Sequence, residues 1–167
     1  MPNHVHLIVV PSDTSGLSRA IGETHRRYSG YINTRLRVTG HLFQGRFGSV
    51  AMDEAHLMAA FRYVAMNPVK AQLVKRPADW RWSSTAAHLA VRNDALVDVQ
   101  PLLERVDDAA QFLSHEADPI LHQELTRGQS IGRPLMDDAG LAALETQLQR
   151  RLRPAPRGRP RKRPFNG

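Results

Sequence analysis

Cysteine is absent from this chain of 167 residues. A disulfide framework, thiolate metal ligation and a cysteine nucleophile are therefore excluded, and any metal must be held by His, Asp, Glu or amide oxygen. No apolar run approaches the about 20 residues of a membrane-spanning helix. Met1-Pro2-Asn3-His4 shows no basic stretch followed by an apolar one, so no secretory leader is expected and a cytoplasmic location is. Aromatic residues are scarce, at 6%, so each tyrosine and tryptophan becomes a position to account for. Negative charge is missing altogether from the last stretch: residues 150–167 carry 8 basic and no acidic side chains.

What is present divides electrically. Residues 1–92 hold 12 basic and 5 acidic groups, and residues 93–149 hold 3 and 11. A basic body and a very basic tail point to a polyanionic partner, for which nucleic acid is the commonest choice at this pI. The charge pattern suggests three regions: 1–92 as a catalytic domain, 93–152 as an acidic helical region, and 153–167 as a basic tail that is disordered when free.

His4 to Val10 is short, β-branched and bounded by Pro11-Ser12-Asp13, which predicts a central strand with apolar residues on both faces. A helix follows from about Ser15 to Arg37, with Leu17, Ile21, Tyr28, Tyr31, Ile32 and Leu36 on a core-facing stripe. Phe47 to Met52 reads as a second strand. Asp53 is a natural N-cap for a helix that should stop near Asn67, because the residue before proline disfavours the α region. Further helices are expected near Thr85–Val91, Leu102–Leu113, Pro119–Leu125 and Ala139–Leu152, with a loop over Gly128–Pro134.

On a strand, His4 and His6 project from the same face and can share one cation. Tyr63 and Asn67 lie at i and i+4 on one helix face, so an Asn67 amide oxygen can complete a three-ligand set while Tyr63 stands one turn away. A phenol becomes a useful nucleophile when a cation or base favours its deprotonated form, and a divalent metal can also polarise and orient a phosphate. The same residues also fit a plainer arrangement in which Tyr63 packs beside Phe61 and Val64 and Asn67 only ends the helix. Tyr28 and Tyr31 fall on the apolar stripe, where core packing accounts for them.

Met1-Pro-Asn-His-Val-His-Leu-Ile-Val9 resembles the His-hydrophobic-His strand of the IS200-like, single-tyrosine transposases. Gly40-His-Leu-Phe-Gln-Gly-Arg-Phe47 and Phe61-Arg-Tyr-Val-Ala-Met-Asn-Pro-Val-Lys-Ala71 resemble two later signatures of the REP-associated branch of that family, and Trp80-Arg-Trp-Ser-Ser84 and Gly132-Arg-Pro-Leu135 are similar to further ones. The resemblance implies an α+β fold: a ferredoxin-like antiparallel sheet with helices on one face, then a helical C-terminal region and the basic tail. Family members carry several tens of residues before the Met-Pro-Asn-His segment, so it also implies either a start placed at an internal Met or a truncated chain lacking the first strand and helix of that sheet. The activity implied is that of a bacterial, cytoplasmic and nucleoid-associated DNA transposase. It would cleave and rejoin single-stranded DNA at palindromic hairpins through a 5′-phosphotyrosine, with Tyr63 as nucleophile and His4, His6 and Asn67 holding Mg²⁺ or Mn²⁺.

Gln44, Arg46, Arg62 and Lys70 are polar or basic beside these motifs and are candidate DNA contacts. Arg157-Gly158-Arg159-Pro160 resembles an AT-hook core, in which Arg157 and Arg159 would enter an A/T-rich minor groove of duplex DNA. Two rival readings accompany this one. The first is a catalytically inactive DNA-binding remnant; the second is a zinc hydrolase drawing a further ligand from His41, Asp53 or His56. Whether the chain acts as a monomer or a homodimer has no sequence signal.

Overall fold

The computed structural model describes residues 3–45 and 47–154, with only the backbone of Gln129 and Ser130. Seven α-helices are present among the described residues: α1 (Gly16–Leu36), α2 (Glu54–Lys70), α3 (Thr85–Leu89), α4 (Gln100–Leu103), α5 (Ala109–Ser114), α6 (Pro119–Ile131) and α7 (Asp138–Leu148). A 3₁₀ turn, Pro77–Asp79, stands between α2 and α3. No membrane-crossing helix is found among the described residues, since none is long and apolar enough.

The expected ferredoxin-like sheet is absent among the described residues. His4 to Val10 forms no strand, and the sole pairing among the described residues is an isolated parallel bridge between Met52 and Leu135. The physical reason is that β-branched, apolar composition favours a strand only where a neighbour supplies ladder hydrogen bonds and a packed face. Residues 51–53, the end of the second expected strand, bond instead to the distal chain: Leu135 N–H donates to Ala51 O at 2.8 Å and Asp53 N–H to Leu135 O at 3.0 Å. Val5 is consequently 79% exposed and Val10 96%.

α1 forms close to where its sequence predicts. Asp13 accepts hydrogen bonds from Ser15 N and Oγ, both 2.8 Å, while Arg37 closes the far end in the left-handed conformation with φ 54°. Its apolar stripe, however, meets nothing that buries it. No α1 residue is buried, and Tyr28 and Tyr31 are 50% and 57% exposed, so the expected core role of these tyrosines is incorrect. The main tie to α1 is the loop after it, where Phe43 stacks on His25 with ring centroids 3.8 Å apart.

α2 is the centre of the packed body. Asp53 caps it as expected, its side chain accepting from His56 N. The predicted stop at Asn67 does not hold: the helix runs through Pro68 to Lys70. Ala65 and Pro68 are buried there, and this packing outweighs the local preference of a pre-proline residue. α6 packs on α2, α5 packs on α2 and α3, and the 3₁₀ turn packs on α2 and α3. The buried apolar residues Ala60, Ala65, Val99, Leu102, Ala109, Leu113 and Leu125 belong to α2, α5 and α6, to α4 and to the residue before it.

Downstream, the acidic region is helical as expected but more broken. Leu102 to Leu113 is two short helices, and the segment read as a loop from Gly128 stays helical to Ile131. Gly132 then ends α6 with φ 65°, a left-handed position that suits glycine, and donates to Gly128 O. At the border of the tail, Arg153 is ordered, with 2.9 Å to Asp138 and 3.2 Å to Glu145. Arg157 and Arg159 lie outside the described residues.

Candidate active site

His4 and His6 bring their Nε2 atoms to 3.1 Å of each other, with ring centroids 4.8 Å apart. His4 Nδ1 is 2.8 Å from Asn3 Oδ1, a contact that favours a proton on Nδ1 and leaves Nε2 as the lone-pair atom facing His6. Burial, followed by the neighbouring His4, lowers the His6 pKa below its ordinary 6.5, which favours the neutral imidazole a metal requires. Two ring nitrogens therefore converge on one point even without a strand to align them.

Tyr63 meets this pair. Its ring stands edge-on to His6, with centroids 5.5 Å apart and planes at 85°. On α6, His122 approaches the same phenol with centroids 5.5 Å apart at 62°. The tyrosine is thus flanked by two imidazoles, one from the N-terminal segment and one from a helix far along the chain. Its predicted partner Asn67 follows on α2, and the amide Nδ2 is buried without a hydrogen-bond partner among the described residues. This end of Asn67 is therefore a buried polar group that lacks the partner such groups ordinarily have.

Among the described residues, no cluster of three or more His, Asp or Glu side chains is arranged to hold a metal ion. His4 and His6 come together, but no hydrogen bond joins Asn67 to either imidazole among the described residues; imidazole nitrogen and amide oxygen are donors that a divalent cation can take alongside water. Of the other candidate ligands, His41 is exposed in the loop after α1, while His56 and Asp53 are engaged elsewhere. His56 is buried with Nδ1 2.7 Å from Asp53 and Nε2 3.0 Å from Glu124, which clasps α6 to the start of α2. Asp53 also accepts from Asp137 N–H at 2.9 Å.

A cleft of about 130 Å³ opens on the His122 side of Tyr63. Lys70 and Arg62, both candidate DNA contacts, line it together with His115. Lys70 is exposed. Arg62 is already engaged: its guanidinium lies 4.1 Å from the centre of the Phe112 ring and donates to the His115 carbonyl. Gln44 is exposed in the loop His41–Gly45, and Arg46 lies outside the described residues. Trp82, in the Trp80–Ser84 motif, is 73% exposed beneath the Arg81 guanidinium.

Sequence reasoning missed His122. Its signal is weak but real, because Leu121, Leu125 and Gly128 repeat at three-and-four spacing on α6 and His122 borders that stripe. The Gly132-Arg-Pro-Leu135 motif also has a structural use: Leu135 anchors the residues that lead into α2. In comparisons with family models, with curated proteins and with solved structures, none matches the chain.

Proposed function

We propose that this chain is a metal-dependent, single-stranded DNA endonuclease of the transposase type, with Tyr63 as its nucleophile. The observation that supports the reading most is the Tyr63 phenol standing edge-on to the second of two imidazoles whose Nε2 atoms converge. A tyrosine beside a nitrogen pair suited to a divalent cation is what phosphoryl transfer to a phenol requires. His4, His6 and Asn67 would hold Mg²⁺ or Mn²⁺, which when bound supplies Lewis-acid polarisation of the scissile phosphate.

In the cleavage step, the Tyr63 oxygen forms a bond to phosphorus as the bond from phosphorus to the 3′-oxygen breaks. The phenolic proton is lost to solvent, and the departing 3′-oxygen takes one up to become a hydroxyl. The 5′-phosphate remains on Tyr63, and attack by a 3′-hydroxyl reverses the step to rejoin the strand. His6 and His122 hold the ring from two sides, which limits the loss of orientation that an exposed side chain would suffer. The substrate would be a hairpin with unpaired flanks, since a phosphate must enter a site recessed beside α2. Lys70 and Gln44 would meet its backbone, Arg157 and Arg159 would bind duplex DNA, and the working location would be the bacterial nucleoid.

The test is incubation of the full chain with single-stranded hairpin DNA and Mn²⁺, followed by denaturing electrophoresis. A protein–DNA adduct that disappears in Tyr63→Phe is expected. No adduct from any hairpin, with binding intact, would favour the second reading, a DNA-binding remnant without chemistry. That reading is supported by the His4–Val10 segment, which carries both imidazoles with no ladder among the described residues to stiffen it.

A further inference from the structure

We propose that the cleft beside Tyr63 is a subsite for one unpaired nucleobase of the DNA strand. The inference rests on the single-stranded DNA reading and adds to it which part of the substrate this surface holds. Ala59, Met66, Leu113 and Ala117 supply apolar walls, while Tyr63 and His122 supply ring edges and Lys70 a cationic one. Its volume of about 130 Å³ is well below the roughly 300 to 1,000 Å³ of sites that enclose drug-sized ligands, so it suits a single planar ring system.

The chemistry of the lining selects among such groups. Bases splayed from a single strand are held by stacking on aromatic side chains and by contact with apolar ones, with the phosphates left to nearby cations. The lining has matching groups: Tyr63 and His122 bring rings, the alanines and Leu113 bring apolar walls, and Lys70 is exposed at the last turn of α2. One carboxylate, Asp118, also lines the cleft. Its Oδ1 accepts from Ile120 N at 2.8 Å and Leu121 N at 3.3 Å, so it caps α6. Arg62 contributes positive charge at the opposite end while its guanidinium stays over Phe112. A base seated here would lie against the Tyr63 ring, so occupancy and the position of the nucleophile are linked.

The experiment uses the full chain carrying ¹³C-labelled tyrosine rings; with 3 tyrosines, Tyr63→Phe identifies the Tyr63 signal. The probes are the four 2′-deoxynucleoside 5′-monophosphates and, as control, 2-deoxyribose 5-phosphate. At least one nucleotide should shift the Tyr63 signal saturably and leave Tyr28 and Tyr31 unmoved, and the sugar phosphate should not. Filling the cleft with Ala117→Leu or Ala59→Leu should weaken that binding by roughly tenfold or more, the loss of one stacked base. Lys70→Gln, at an exposed position, should weaken it without disturbing the fold. The inference is overturned by no shift with any nucleotide, by an equal shift with the sugar phosphate, or by binding unchanged in both filled variants that remain folded. A Tyr63-dependent adduct without nucleotide binding sinks this subsite and leaves the endonuclease; nucleotide binding without an adduct does the reverse.

Discussion

The Tyr63 ring lies edge-on to the His6 imidazole, with centroids 5.5 Å apart. One residue sits on a capped helix inside the packed body and the other on a segment that joins no sheet among the described residues. Their contact ties that segment to α2.

Tyr63→Phe removes the hydroxyl and keeps the ring, so His6 and His122 retain their packing partner. Adduct formation should be abolished while thermal stability changes by no more than about 1 kcal/mol, the typical worth of one hydrogen bond. Retained covalent attachment in this variant would falsify the assignment of the nucleophile.

Chelation of divalent cations, or replacement of both His4 and His6 by alanine, should abolish the adduct without preventing hairpin binding. Both imidazoles are on a segment that packs little, so circular dichroism of the double variant should match that of the native chain. Persistent cleavage under either condition would leave the imidazole pair without a catalytic part.

His122→Ala removes one of the two flanking rings. The single-turnover rate at saturating DNA should fall on the order of tenfold to hundredfold, because misplacement by about 1 Å is that costly. Binding should change less than rate, and His122→Phe should recover much of the loss by restoring a flat partner. A rate that tracks melting temperature alone across these variants would assign His122 to packing.

The His56 clasp gives stability a pH dependence. Burial lowers the imidazole's pKa, but hydrogen bonds that it donates to Asp53 and Glu124 outweigh it, so the folded value lies above the ordinary 6.5. Its contribution is complete below 6.5 and is lost as pH rises through the higher folded value. Burial also raises the Asp53 pKa, but hydrogen bonds from His56 and Asp137 bring it below 3.8, so that contribution is present above 3.8 and lost as pH falls through the lower folded value. The native chain should melt at a lower temperature at about pH 9 than at about pH 6, and His56→Gln should flatten that slope. Equal slopes would show that the clasp does not govern the transition.

Two substitutions test the packing that carries α2. Leu125→Ala, at a buried α6 position, should destabilise by about 2 to 5 kcal/mol in chemical denaturation. Gly132→Ala should cost about 1 to 2 kcal/mol, because its φ of 65° crowds any β-carbon. A neutral Gly132→Ala would mean that the turn relaxes and that Leu135 holds without it.

Features decided locally were readable in the sequence. Ser15 and Arg37 flank α1, and Asp53 caps α2, because an end group and a short polar side chain act within a few residues. Features decided by distant partners were not. His4–Val10 has strand composition, yet a strand depends on a neighbour that composition does not supply. Tyr28 and Tyr31 follow a core-like period, but among the described residues nothing buries that face of α1. Pro68 reads as a stop, and burial of its ring within α2 overrides that signal. For the site itself, the His4, His6 and Tyr63 grouping was legible as spacing and motif. His122 and the Asp53–His56–Glu124 clasp were hidden because their partners lie on separate helices.

The bonds from residue 135 to residues 51 and 53 also have a meaning in time. A chain emerges from the ribosome N-terminus first, so α2 is made long before Leu135 and Asp137 arrive to secure its opening turn. Until then, the helix bearing Tyr63 must stand without this anchor. A nascent chain halted before Leu135 would carry His4, His6 and Tyr63 without the bonds that secure the start of α2.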